Sequence, residues 1–168
     1  MNAPEAFTTP STPAATLTVP IGGLATARSP CCLRTFLGSC VGVALYDRRL
    51  HLGGLAHVVL PDSAGHGSPP GKYADTAVAA LVSELEALAG SQPLRLTARL
   101  VGGAKMFAFQ SGPAVGEQNV EALEKLLKQA NIPLVARDCG GSKGRRMTLD
   151  VGSGQITIES VGQPHTFL

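Results

Sequence analysis

Apolar residues alternate with small or polar ones along residues 35–46, a period of two that predicts a strand. Val41, Val43 and Leu45 fall on one face of it, and Cys40, Gly42, Ala44 and Tyr46 on the other. A shorter strand is expected at 17–19, ended by Pro20 and the glycines of IGG. After the polar turn Asp47-Arg48-Arg49, residues 50–60 read as a returning strand that Pro61 stops. The segment PDSAGHGSPPG is a loop.

Helical spacing takes over at 73–88, where Ala77, Leu81, Leu85 and Leu88 recur and Gly90 closes the run. Residues 94–100 alternate again and lead into VGGAKMF. A second helix is predicted over 119–130, with Val120, Leu123, Leu126 and Leu127 on its apolar face, followed by a strand at 132–136 and the glycine-rich loop DCGGSKGRR. MTLDV and QITIES, joined by Gly152-Ser153-Gly154, read as a hairpin. Hairpins combined with two helices predict an α+β fold: mixed, largely antiparallel sheets flanked by two main helices. Residues 1–16, rich in Pro, Thr and Ala, read as a flexible tail before one domain at 17–168.

The first hairpin carries candidate chemistry. A turn centred between Arg48 and Arg49 pairs Cys40 with His57, Gly42 with Leu55 and Tyr46 with His51. Directly opposed side chains have Cβ atoms ~4.5–5.5 Å apart, within reach of a thiol–imidazole hydrogen bond. A one-residue slip would separate them onto opposite faces, and Gly53-Gly54 is a place for a bulge that would cause one. An imidazole beside a thiol takes its proton and stabilises the thiolate. Gly38 and Ser39 allow close backbone approach, so N–H groups of Ser39 and Cys40 are candidate oxyanion donors. Thr35 is a candidate acceptor for the histidine ring N–H. The competing reading is a core thiol and a satisfied strand histidine, and spacing alone leaves it open.

Composition narrows the function classes. With 168 residues, 44% hydrophobic and 15% charged, the chain fits one globular domain. A net charge of +2, scattered basic residues, no Trp and few other aromatics argue against a nucleic-acid surface. No apolar run approaches the ~20 residues of a membrane span, so membrane insertion is not expected. The N-terminal residues lack the basic and apolar regions of a signal peptide, which predicts a cytoplasmic protein. In that compartment Cys31, Cys32, Cys40 and Cys139 are expected as free thiols, with all but Cys40 buried. Their spacing to the histidines fits no zinc motif, and no metal or cofactor is called for. A redox sensor would need Cys31 or Cys32 beside Cys40 as resolving thiol.

The segments LGSCVGVALYD, GGLAHVVLPDS, GKYADTAVAALVSEL, VGGAKMF, VGEQNVEALEKLLKQANIPLVARDCGG and GRRMTLDVGSG occur in order between residues 19 and 162. Together they resemble the CheD family of chemotaxis proteins. The resemblance implies a protein-glutamine deamidase acting on the cytoplasmic helices of chemoreceptors (methyl-accepting chemotaxis proteins). It implies a nucleophile at Cys40 in LGSC, a histidine at His57 in AHVVLP and a threonine at Thr35. It also implies an architecture shared with toxin deamidases related to cytotoxic necrotizing factor, and a CheC-type phosphatase as a second binding partner. Gln118 departs from the family, whose members usually carry arginine there.

The remaining features have two readings each. Asp75 in KYAD is either part of a substrate cleft or a first-turn acid favoured by the helix dipole. His66 lies in a Gly-Ser-Pro loop and is expected in solvent. The glycines of VGGAKMF lack the spacing of a phosphate loop. Lys143, Arg145 and Arg146 read as a solvated basic loop that would also suit an acidic partner.

Overall fold

The computed structural model describes residues 14–107 and 111–168. Its strands are β1 (Ala15–Thr18), β2 (Leu24–Arg28), β3 (Cys31–Leu37), β4 (Val41–Asp47), β5 (Leu52–Val58), β6 (Thr97–Gly102), β7 (Leu134–Cys139), β8 (Arg145–Asp150), β9 (Ile156–Glu159) and β10 (Thr166–Phe167). The helices are α1 (Ala74–Ala89) and α2 (Val115–Gln129).

The strands form two five-stranded sheets, ordered β1-β3-β8-β9-β10 and β2-β5-β4-β6-β7. All pairings are antiparallel except β1 with β3 and β6 with β7. The expected α+β class is therefore what the chain adopts. Alternation along β4 sets the layers. Val41, Val43 and Leu45 join Leu81 and Leu85 of α1 and Leu123 and Leu127 of α2 in one core. Ala44 and Tyr46 join Leu33, Met147, Leu149 and Ile156 in a second core, between the sheets. Every residue of β4 and β5 is buried, because the second sheet is covered on one face by helices and on the other by the first sheet.

The alternating run 35–46 is not one strand. It breaks at residues 38–40, and β3 and β4 on either side belong to different sheets. Period-two patterning cannot register this break, because the faces keep alternating through the crossing. Strand β2 was not expected, and its short, half-buried LATAR carries little pattern. Helix α2 starts at Val115, earlier than the predicted 119, since Gly116, Glu117 and Gln118 of its first turn are not apolar markers. The expected strand at 17–19 begins at Ala15. Residues 1–13 of the expected tail lie outside the described residues.

The first hairpin has a different register from the expected one. Asp47 and Leu52 are its last pair, so Gly42, not Cys40, stands opposite His57, and Tyr46 opposite Gly53. The cause is Asp47. Its buried carboxylate accepts from the N–H groups of Arg49 and Leu50, both at 2.9 Å, and of Arg95 at 2.7 Å. The first two bonds close a four-residue turn over 48–51, with His51 in a left-handed conformation at φ 50°. No bulge forms at Gly53-Gly54. The shift is by two residues, which preserves the face, so Cys40 and His57 become diagonal neighbours instead of direct partners.

Candidate active site

Thr35 lies on β3 with its side chain in the space between the sheets, and His57 lies on β5, facing it; both are buried. Their side chains meet across the layer, with Thr35 Oγ1 2.7 Å from His57 Nδ1. The Thr35 hydroxyl donates to the Val19 carbonyl at 2.9 Å. A hydroxyl has one proton, so with that proton committed it accepts from Nδ1–H. This fixes the tautomer and leaves Nε2 as the basic nitrogen. The histidine backbone is also clamped: its N–H donates to Gly23 O at 2.9 Å, and its carbonyl accepts from Gly22 N–H at 3.1 Å. The IGG turn is thus the seat of His57, beyond merely ending a strand.

Cys40 stands at the end of the 38–40 crossing and is half-buried, while Ser39 is exposed. The crossing is held by VGGAKMF. Gly103 N–H donates to Cys40 O at 2.8 Å, and Ala104 N–H donates to Gly38 O at 3.0 Å. Gly102 has φ 109°, and a side chain there would drive its Cβ into the Cys40 carbonyl oxygen. Gly103 in turn lies against α2, where a Cβ on Gly116 would come within 2.6 Å of Gly103 O. Among the described residues, no protein group accepts from the N–H of Ser39 or Cys40.

The thiol and imidazole are both shifted towards their neutral forms. Burial pushes the Cys40 pKa up, against a smaller opposing pull from the Ser39 hydroxyl. Burial pushes the His57 pKa down. Among the described residues, no hydrogen bond joins Cys40 to His57. The structure brings Thr35 and His57 into contact, and sets Cys40, Gly38 and Ser39 at the mouth of the same inter-sheet space.

An open cleft of about 1090 Å³ borders this turn at Gly38 and Leu37 without including Cys40. Phe36 and Met106 are exposed on its wall. The other sequence candidates resolve differently. Asp75 accepts from Ser63 N–H at 3.0 Å and Ser63 Oγ at 2.8 Å, so it anchors the loop after β5. Arg145 is not a solvated cation. Its guanidinium donates to the carbonyls of Gly102, Asp138 and Gly140, tying the loop that holds Cys40 to β7. Arg146 pairs with Glu159, and the Gln118 side-chain amide donates to the Pro113 carbonyl at 3.0 Å. Cys31 is buried as expected, but Cys32 and Cys139 are only half-buried. Burial pushes the Cys139 thiol up to about 11.

Residues 59–160 match the family model described as CheD chemotactic sensory transduction. The chain belongs to the CheD family. It is 41% identical over 156 residues to a probable chemoreceptor glutamine deamidase CheD of Desulforamulus reducens, covering 89% of this chain and 93% of that protein. It is 43% identical over 143 residues to the chemoreceptor glutamine deamidase CheD of Thermotoga maritima, covering 84% and 90% of the two chains. A probable chemoreceptor glutamine deamidase CheD of Clostridium botulinum is 44% identical over 131 residues, covering 75% and 80%. The family-model match begins two residues after His57 and so does not include Thr35, Cys40 or His57. Among the described residues, no helix is long and apolar enough to cross a membrane.

Proposed function

We propose that this CheD-family chain is a chemoreceptor glutamine deamidase that converts glutamine side chains of receptor cytoplasmic helices to glutamate by thiol chemistry. The observation that carries the reading is the Thr35–His57 bond at 2.7 Å, with Gly42, two residues after the half-buried Cys40, standing opposite His57 in the ladder. It supplies an oriented base at the mouth where an exposed thiol turn ends. The curated relatives named as chemoreceptor glutamine deamidases support the substrate class.

Burial disfavours the charged form of both the thiol and the imidazole in the free protein, so in this reading the thiolate forms during attack. Cys40 Sγ attacks the carboxamide carbon while His57 Nε2 takes the thiol proton. The N–H groups of Ser39 and Cys40 receive the developing oxyanion. The imidazolium, its Nδ1–H held by Thr35, returns the proton to the amide nitrogen as the C–N bond breaks and ammonia leaves. His57 then draws a proton from water, which attacks the thioester and releases glutamate and the thiol. The apolar rim of Phe36 and Met106 suits the apolar stripe of an amphipathic helix.

The test is peptide mass spectrometry of a receptor cytoplasmic fragment incubated with the protein or its Cys40→Ala variant. Replacement of NH₂ by OH adds about one mass unit, and it is expected at defined glutamines with the unsubstituted protein only. No shift on several receptor fragments, with the protein folded, would favour a binding module for a CheC-type phosphatase instead.

A further inference from the structure

Asn119 is a polar side chain that local packing does not explain. It lies three residues after Gly116 on the same face of α2, and its side chain is fully buried. Nδ2 donates to the Val59 carbonyl at 2.9 Å. A carbonyl only accepts, so the amide orientation is fixed, and Oδ1 is the atom left buried with no partner among the described residues. Such an orphan acceptor is destabilising, and a leucine of the same branched shape would not carry it. Packing therefore favours a residue other than the one present.

The groups that this helix face touches account for it. Val59 is the second residue past His57, where the chain leaves the second sheet. Its N–H has turned to Lys72 O at 2.8 Å, and Asn119 holds its carbonyl. Continuing the register from Gly42–His57 and Val41–Val58, Val59 occupies the place opposite Cys40. One turn earlier on α2, Gly116 lies against Gly103, whose N–H holds the Cys40 carbonyl. One face of one helix thus meets both the exit of the histidine strand and the loop that seats the thiol.

We propose that Asn119 is a positioning residue for the Cys40–His57 pair, tying the end of β5 to α2 so that the imidazole stays in register with the thiol turn. The inference rests on the thiol–imidazole reading above. The amide donor is what the position needs, and the unpaired Oδ1 accompanies it. Asparagine has the reach to place a donor at Val59 O from a helix that also lies flush on Gly103.

The test uses the full chain and needs no receptor. Alkylation of Cys40 by iodoacetamide is followed across pH by site-resolved mass spectrometry, so the other three thiols do not interfere. Loss of base assistance in His57→Ala is expected to slow alkylation near neutral pH by about tenfold. Asn119→Leu, which fills the space, is expected to fall within about threefold of His57→Ala with its melting temperature retained, and to add nothing in the His57→Ala background. Asn119→Ala provides the same comparison if leucine does not fit. A leucine or alanine variant that alkylates with the unsubstituted rate and pH profile would overturn the proposal and reduce Asn119 to packing. Equal slowing with and without His57 would also overturn it, because Asn119 would then act independently of the imidazole. His57→Ala without effect would remove the pair itself, a result distinguishable from both.

Discussion

Thr35 and His57 are held by side-chain hydrogen bonds in a dry layer between two sheets. Cys40, five residues after Thr35, sits half-exposed on a turn held by backbone hydrogen bonds from VGGAKMF. The base is preorganised before any substrate arrives: its ring, tautomer and backbone each have a fixed partner. The thiol is met by the Ser39 hydroxyl of its own turn, and burial shifts its pKa up with no cation among the causes. Under the proposed reading, the division opens the thiol to a bulky substrate while the imidazole stays buried.

The largest effects expected are those that remove either half. His57→Gln should lower deamidation by on the order of 10²–10⁴-fold, because proton transfer to and from the leaving nitrogen loses its carrier. The mass-spectrometric assay measures this directly. Retention of most activity would mean that another base serves Cys40.

The third member should matter less. Thr35→Val keeps the shape but strands the Val19 carbonyl and the His57 Nδ1–H, at about 1–3 kcal/mol of stability for each buried group. A loss of roughly 10–100-fold in kcat is expected, with KM little changed, because the imidazole keeps its place but not its orientation. Thr35→Ser should restore much of it. If serine and valine behave alike, the hydroxyl is not what orients the ring.

The pH profile sharpens the same comparison. Burial lowers the His57 pKa, so the neutral, proton-accepting form persists to lower pH than in a free imidazole. The acid limb of kcat/KM, which rises as the imidazole loses its proton, should have its midpoint below the ordinary ~6.5. Thr35→Val should move it lower still, since the imidazolium loses the acceptor of its Nδ1–H. A midpoint above that value would point to an anionic partner for His57 in the working enzyme.

Much of this arrangement was legible in the sequence, and the parts that were not have physical reasons. The face assignments along β4 and the core faces of both helices follow from side-chain periodicity. The LGSC and AHVVLP motifs marked Cys40, His57 and Thr35 through family resemblance. The hairpin register was missed by two residues, because Asp47 builds its turn with a side-chain cap that apolar spacing does not encode. The crossing at 38–40 was missed for a related reason, since alternation continues through a change of sheet. The supporting residues Gly23, Gly103 and Asn119 act through backbone contacts or a single amide. Glycine-rich composition marks places of close approach without naming the partner.

Gly116→Ala tests the thiol half at its support. Alanine near a helix start ordinarily stabilises by about 0.5–1 kcal/mol over glycine. Here its Cβ would sit 2.6 Å from Gly103 O and 2.7 Å from Gly103 Cα, backbone atoms that cannot rotate away. The loop must shift, and Gly103 carries the Cys40 carbonyl with it. A several-fold fall in deamidation with the Thr35–His57 contact intact is expected, the latter read from an unchanged acid limb. A fall in activity accompanied by a shifted limb would mean that the two halves are mechanically coupled.

Asp47 gives the smallest effect on chemistry and a clear one on stability. Burial of the carboxylate raises its pKa, but the N–H groups of Arg95, Leu50 and Arg49 outweigh that and hold it below the ordinary value. A group whose folded pKa is depressed adds stability above its unfolded value of ~3.9 and loses it as the pH falls through the folded one. Asp47→Asn should therefore destabilise by about 1–3 kcal/mol near neutral pH in urea unfolding, with the difference shrinking below about pH 4. Deamidation per folded molecule should change little, because the Thr35–His57 bond spans the two sheets and does not depend on the 48–51 turn alone. If activity fell in proportion to stability, the hairpin register set by Asp47 would itself be what aligns the base with the thiol turn.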